Sequence, residues 1–297
     1  MGRLEGRVAL VTGASRGLGK AIAVALAADG AAVAVAARTE RQWDERLPGT
    51  IGETVEQIEA AGGRAVAIRA DLSEPDDRIR LVEAARAALG PITILVNNAA
   101  FTAPGRPPKV GSDGQAATRP PTARTAGERT VQAKADWPMF LTTPLAAYQR
   151  HFKIGPFAAY ELTQQVVPDM VAAGYGSIIN ITSGASRVPG EGPYADRSGG
   201  VLAGYGGSKA ALEHFTQCAA YELADQNIAV NALAPSKAIL TPGLAYYSKV
   251  FDDLAPEEEF AQAVVRLAIV DPHVVTGKVV GHLDVLDGSF RPYQYLR

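Results

Sequence analysis

The apolar run Val8-Ala-Leu-Val-Thr12 enters Gly13-Ala-Ser-Arg-Gly17-Leu-Gly19, and a good helix pattern comes next over Lys20–Ala28. Strand, glycine-rich turn and helix in direct succession leave few folds open. Glycines let the backbone turn tightly and approach a pyrophosphate. The helix N-terminus adds free N–H groups and the positive end of its dipole. The spacing is G-x-x-x-G-x-G, not the G-x-G-x-x-G of other nucleotide folds. A glycine-rich turn by itself is also an ordinary structural turn. The strand before it and the helix after it favour a nucleotide cradle, with Gly13, Ser15, Arg16, Gly17, Leu18 and Gly19 as the cofactor-contacting residues.

The same alternation continues along the chain. Strand signals fall at 7–12, 31–37, 64–70, 92–97, 176–182, 227–233 and 279–285. Helix signals fall at about 17–29, 50–62, 75–89, 144–172, 203–225 and 257–270, with Gly62-Gly63 and Gly174 as stops. This pattern predicts an α/β fold: a Rossmann-like doubly wound parallel sheet with helices on both faces, binding ligands beyond the strand C-termini. The whole chain, 1–297, reads as one domain. Three stretches interrupt it: Arg41–Gly49, Phe101–Pro144 and Pro189–Gly204. Loops of this length are usually functional or disordered. Over 101–135 the second carries six basic residues (Arg106, Lys109, Arg119, Arg124, Arg129, Lys134) against two acidic ones. That charge suits an anionic substrate, a solvated loop or an interface.

Tyr205-Gly-Gly-Ser-Lys209 carries the chemistry. A Tyr and a Lys four apart share one helix face. An ammonium there favours the ionised phenol, so the Tyr205 pKa is expected to fall towards neutrality. Such a phenol passes a proton to or from a carbonyl or alcohol oxygen. The spacing alone also arises by chance on exposed helices.

Together these residues resemble the short-chain dehydrogenase/reductase family, over nearly the whole chain. Thr12-Gly13-x-x-x-Gly17-x-Gly19 is similar to the family's cofactor loop, and Asp71-Leu72 to its pair at the adenine ring. Asn97-Asn98-Ala99-Ala100 is similar to its N-N-A-G strand end, with Ala for the final Gly. Ile179-Asn-Ile-Thr-Ser183 resembles the strand presenting the active-site serine. Asn231-Ala-Leu-Ala-Pro235 resembles the segment before the nicotinamide loop, with Ser236 for the usual Gly. The resemblance implies that Tyr205 is general acid in reduction and general base in oxidation. Lys209 would lower its pKa and bond the nicotinamide ribose, and Ser183 would orient the substrate oxygen. Asn98, Ala99 and Pro235 would line the cofactor cleft. Thr182 could share the serine's role. Tyr194 is a decoy, because Ser198 stands where its Lys would be.

One family residue is missing. The resemblance calls for an Asn in a run like R-x-F-x-[IV]-N-x-x-G-P-F, where it holds a water that links the Lys to solvent. This chain reads Arg150-His-Phe-Lys-Ile154-Gly155-Pro156-Phe157. Either three residues are lost or Phe152 takes the Asn position. Losing three residues would rotate the rest of the helix by roughly 60°, since they turn about 300°. Pro156 is expected to absorb this in a kink. His151 and Lys153 are the candidate substitutes. The missing Asn also supports a second reading, a cofactor-binding protein with weak or no turnover, such as a sensor or assembly subunit. A same-fold enzyme of dehydration or epimerisation is a third.

Cofactor choice turns on the end of the second strand, Val33-Ala-Val-Ala-Ala37-Arg38-Thr39. An acidic residue there would bond the ribose 2′-hydroxyl of NAD, whereas an Arg accommodates the 2′-phosphate of NADP. Ala37 holds the acidic position and Arg38 comes directly after it. With Arg16 it could grip a phosphate through charge-assisted bonds, so NADP (NADPH) is expected over NAD. The alternative is that Arg38 is a surface residue.

Composition excludes other classes. With 29 basic and 31 acidic residues, nucleic acid is not an expected partner. No apolar run approaches the roughly 18 residues of a membrane span. The start of the chain leads directly into the first strand, and the single Cys218 permits no internal disulfide, so a cytoplasmic protein is expected. Cys218 is expected to be buried. The four histidines lack ligand spacing, so no metal is expected. The helices at 144–172 and 203–225 resemble those that pair family subunits, which implies a homodimer or homotetramer. Phe101, Tyr246, Tyr247 and Phe251 hint at an apolar or cyclic carbonyl or alcohol substrate, or pack as ordinary core.

Overall fold

The fold is described from a computed structural model, which covers residues 2–42, 44–45, 47–101, 140–188, 203–239, 241–242 and 254–294. The basic loop, most of the insertion before Tyr205, and Tyr194, Ser198, Tyr246, Tyr247 and Phe251 lie outside the described residues.

Seven parallel strands form the main sheet: β1 (Val8–Thr12), β2 (Ala32–Ala37), β3 (Arg64–Arg69), β4 (Ile94–Asn97), β5 (Gly176–Ile181), β6 (Ile228–Ala234) and β9 (Val279–Gly281). Their order is β3-β2-β1-β4-β5-β6-β9. The direction of winding reverses between β1 and β4, so the crevice for a ligand opens beyond the C-terminal ends of these two strands. Two short strands, β7 (Ala238–Ile239) and β8 (Leu254–Ala255), pair apart from the sheet.

Both faces of the sheet are covered, and every residue of its central strands β1, β4, β5 and β6 is buried. Alternation along β1 splits the core in two. Ala9 and Val11 pack with α1 (Gly17–Ala28) and α7 (Glu257–Leu267), through Ile22, Leu26, Phe260 and Val264. Val8 and Leu10 face α3 (Pro75–Leu89) and α5 (Ala158–Ala173), through Leu81, Val82, Leu162 and Val166. Local signals place the helix ends. Thr50 accepts from Glu53 N at the start of α2 (Ile51–Ala60), Pro75 opens α3, and Gly174 closes α5 in the left-handed conformation. The edge strand β3 carries Arg64 and Arg69, charges that discourage pairing with another chain.

Three expectations change. The strand expected over 279–285 stops at Gly281, and His282–Leu286 is a helix, α8. Ser236 fixes this end: its N–H donates to His282 Nδ1 (2.8 Å) and its Oγ accepts from Leu283 N (3.2 Å). The helix expected over 144–172 takes the kink expected at Pro156 as a full break, into α4 (Leu145–Phe152), a wide turn at Lys153–Phe157, and α5. Gly155 sits at φ −85°, ψ −105° there, off the helical path, because Pro156 disfavours the helical conformation of the residue before it. Buried Arg78 on α3 braces this turn, donating to Lys153 O (3.2 Å) and to Leu72 O (2.7 Å) and pairing with Glu161 (2.6 Å). Cys218 is exposed, not buried. It lies beside His214 on the outer face of α6 (Ala203–Glu222), 3.6 Å from Nε2, while Leu212, Thr216 and Ala220 face inward.

Candidate active site

One cleft at the strand C-termini gathers Ser183, Tyr205 and Lys209 with the residues expected to hold the cofactor. Gly13, Ser15 to Gly19 and Asn98-Ala99 line its floor, Arg38, Asp71 and Leu72 one end, and Ser183, Tyr205, Lys209 and Pro235 the other. Leu47, Thr241 and Pro242, which the sequence did not single out, also line it.

The cofactor end is made of backbone. Gly13 has φ +68°, and an added Cβ would stand 2.9 Å from Ala99 Cα. A Cβ on Gly19 would lie 2.2 Å from Gly13 O. The turn is thus wound too tightly for any side chain at either place. Asn98 locks it: Nδ2 donates to Thr12 O (2.8 Å), and the backbone N–H groups of Asn98 and Ala99 donate to Thr12 Oγ1 at 3.0 and 3.1 Å. No side chain caps α1, so its first N–H groups face the cleft ready for an anion. Arg16 donates to Thr39 Oγ1 (2.9 Å) and Gly49 O (3.2 Å), and Arg38 pairs with Asp71 at 3.7 Å. Burial, and after it the charge of Arg38, lower the Arg16 pKa. Two like charges held this close are relieved by a bound anion. The cradle therefore fits a dinucleotide phosphate backbone.

The catalytic end is made of side chains. Ser183 hydrogen-bonds to Tyr205, whereas the Thr182 hydroxyl is turned away and donates to Glu213 Oε1 (2.7 Å). Lys209 is buried on α6, one turn after Tyr205; its Nζ donates to Ile181 O (2.6 Å) and lies 5.5 Å from the Tyr205 ring centre. The expectation for the phenol is corrected. Burial pushes the Tyr205 pKa up and the Ser183 bond only partly opposes this. Lys209 spends its ammonium on a carbonyl and is itself lowered to about 8 by burial, against the pull of Glu213.

Where the family Asn is missing, Ile154 is buried and lines the cleft. Phe152 instead packs among Tyr148 (5.1 Å between ring centres) and Phe157 (6.4 Å). Lys153 is exposed. His151 does reach Tyr205, edge-on at 6.1 Å between ring centres, with Phe101 on its other side at 4.9 Å. Its buried Nδ1 has no hydrogen-bond partner, and burial plus the Lys209 charge hold its pKa at about 4. Sequence reasoning missed Glu213, although its place one turn after Lys209 was visible.

Among the described residues, no group of three or more His, Cys, Asp or Glu could hold a metal, and no helix is long and apolar enough to cross a membrane.

A dinucleotide cradle facing a half-buried Tyr205 and a buried Lys209 is the architecture of a nicotinamide-dependent oxidoreductase. Known proteins narrow this to a family. The family model described as short chain dehydrogenase matches residues 7–113 and 133–248. The 7α-hydroxysteroid dehydrogenase of Escherichia coli (strain K12) is 31% identical, over 82% of this chain and 74% of its own. A solved 7α-hydroxysteroid dehydrogenase complexed with NADH and 7-oxo glycochenodeoxycholic acid superposes with a TM-score of 0.70 at 27% identity, covering 94% of this chain and 93% of that one. The crystal structure of a 3-oxoacyl (acyl-carrier-protein) reductase from Agrobacterium tumefaciens C58 with NADP bound gives 0.67 at 25% identity, with 94% and 93% covered. The chain belongs to the short-chain dehydrogenase family. It is an NAD(P)-dependent oxidoreductase acting on hydroxyl or keto substrates.

Proposed function

We propose that the protein is an NADP-dependent reductase of a ketone, or dehydrogenase of the matching secondary alcohol, with Ser183, Tyr205 and Lys209 as catalytic residues. The observation that carries this is the single cleft joining two guanidiniums at one end to the Ser183–Tyr205–Lys209 group at the other. Solved relatives hold NADH in one case and NADP in another, so the choice rests on this chain's own residues. No carboxylate stands at Ala37, and Arg16 and Arg38 flank that corner. Gly13, Ser15, Gly17, Leu18, Gly19, Asp71, Leu72, Asn98, Ala99 and Pro235 complete the binding set.

When bound, the nicotinamide supplies or accepts the hydride. Ser183 holds the substrate oxygen next to the phenol. Tyr205, kept protonated by burial, donates its proton to that oxygen as a ketone is reduced and takes it back in oxidation. Lys209 holds positive charge beside the phenolate left behind.

The whole chain acts as one catalytic domain, with the stretches near 101–144 and 189–204 as insertions. Exposed Phe157 in the turn before α5, Tyr160 on α5 and Tyr221 on α6 support a homodimer or homotetramer built on these helices. The reading places the enzyme in the cytoplasm, without metal, membrane or nucleic acid. The second reading, cofactor binding with weak turnover, draws on the missing family Asn next to Ile154, a buried apolar residue that lines the cleft.

The test is turnover of a panel of ketones with NADPH and with NADH, and of secondary alcohols with NADP⁺. NADPH is expected to give the higher kcat/KM. Equal or better turnover with NADH would remove the NADP assignment. Tight NADPH binding with no turnover in either direction would favour the second reading.

A further inference from the structure

Glu213 is buried on α6, one turn after Lys209. Its Oε1 accepts from Thr182 Oγ1 (2.7 Å) and Ser186 Oγ (2.6 Å), and its Oε2 lies 3.0 Å from Arg187 Nη2. All three partners come from one short stretch, and Ser183 is inside it. Ser186 Oγ is also 2.8 Å from Ser183 O, so the carboxylate and the serine's own backbone meet at one hydroxyl. This stretch also meets α6 closely at Gly206, where an added Cβ would lie 2.5 Å from Ala185 O. A buried carboxylate that ties three groups of a loop to a helix fixes their relative position. Charge-assisted bonds of this kind are the strong ones. Glu213 is also the group that opposes burial in setting the charge of Lys209. The other titratable groups facing Lys209 are Tyr205 and His151, and neither supplies negative charge at neutral pH.

We propose that Glu213 is a positioning residue of the oxidoreductase reaction: it clamps the Ser183 segment onto the helix that carries Tyr205 and Lys209. The proposal rests on the catalytic roles assigned to Ser183, Tyr205 and Lys209.

Glu213→Gln keeps the shape of the side chain and removes its charge. The Lys209 titration is followed by NMR in protein with labelled lysines, with Lys209→Arg identifying the signal, and the pH profile of kcat is measured beside it. The native lysine is expected to titrate near 8. In the variant it should fall by about one pH unit or more, and the alkaline limb of kcat should move down with it, with KM little changed. An unmoved lysine and an unmoved limb would show a merely structural carboxylate and overturn the proposal. If native protein shows no turnover, the functional assignment fails, while the lysine titration still decides the role of Glu213. If Glu213→Gln does not fold, Ser186→Ala decides the clamp. It should lower kcat about fivefold at unchanged cofactor affinity, and native kcat in that variant would overturn the proposal.

Discussion

The two ends of the cleft are built by different means. At the cofactor end, shape comes from the main chain: Gly13 and Gly19 admit no Cβ, and Asn98 and Thr12 lock the turn with bonds to backbone atoms. At the catalytic end, shape comes from side chains meeting across long stretches of sequence. Thr182 reaches Glu213 over 31 positions and Lys209 reaches the Ile181 carbonyl over 28. The first kind of site changes abruptly when a single methyl is added. The second can be retuned one group at a time, and the loss of the family Asn is such a change.

Adding a methyl to the backbone-built end is the harshest way to probe this contrast. Gly19→Ala forces Gly13 O aside and is expected to weaken cofactor binding about a hundredfold, close to 2.7 kcal/mol. Calorimetric titration measures it, and near-native affinity would mean that the turn is not tightly wound. Arg38→Ala tests the same end through charge. It should raise KM for NADPH about tenfold and leave NADH nearly unchanged. Equal losses for both cofactors would refute contact with a 2′-phosphate. Asn98→Ala removes the side-chain bond to Thr12 O and should cost about 1–2 kcal/mol of stability in urea unfolding. A loss confined to the catalytic end, with cofactor affinity intact, would blur the division between the ends.

The smallest effect belongs to the catalytic end. Folded His151 titrates at about 4 and the unfolded chain near 6.5. Between those values the unfolded chain binds more protons, so stability falls as the pH drops through this window. His151→Phe keeps the ring between Phe101 and Tyr205 and removes the titration. Its stability should therefore change less with pH from 6.5 to 4, as unfolding midpoints at several pH values would show. An identical slope in both proteins would place the acid sensitivity elsewhere.

The same contrast governs what could be read from the sequence. The strand–turn–helix of Val8–Ala28 was legible because the requirement is local: glycines at fixed spacing between two periodic segments. The sheet was legible from alternation, and the break at Pro156 from the chemistry of one residue. The strand expected over 279–285 was misread because Leu283-Asp-Val285 alternates as a strand would. What decides it is a tertiary contact, the Ser236 cap on α8. The Tyr205 pKa was misjudged for the same reason. A Tyr–Lys spacing shows that the two share a helix face, but not that the ammonium is turned to Ile181 O and that burial dominates at the phenol. Glu213 was passed over because its partners at 182–187 come from a different part of the chain.

The central claim is that Tyr205 moves the proton in a hydride transfer run from this cleft. NADPH oxidation with a ketone substrate, native protein and Tyr205→Phe side by side, tests it most directly. Loss of the phenol should lower kcat by about a thousandfold, within the usual range for a general acid, while NADPH binding stays native. A Tyr205→Phe enzyme that turns over at the native rate would contradict the account.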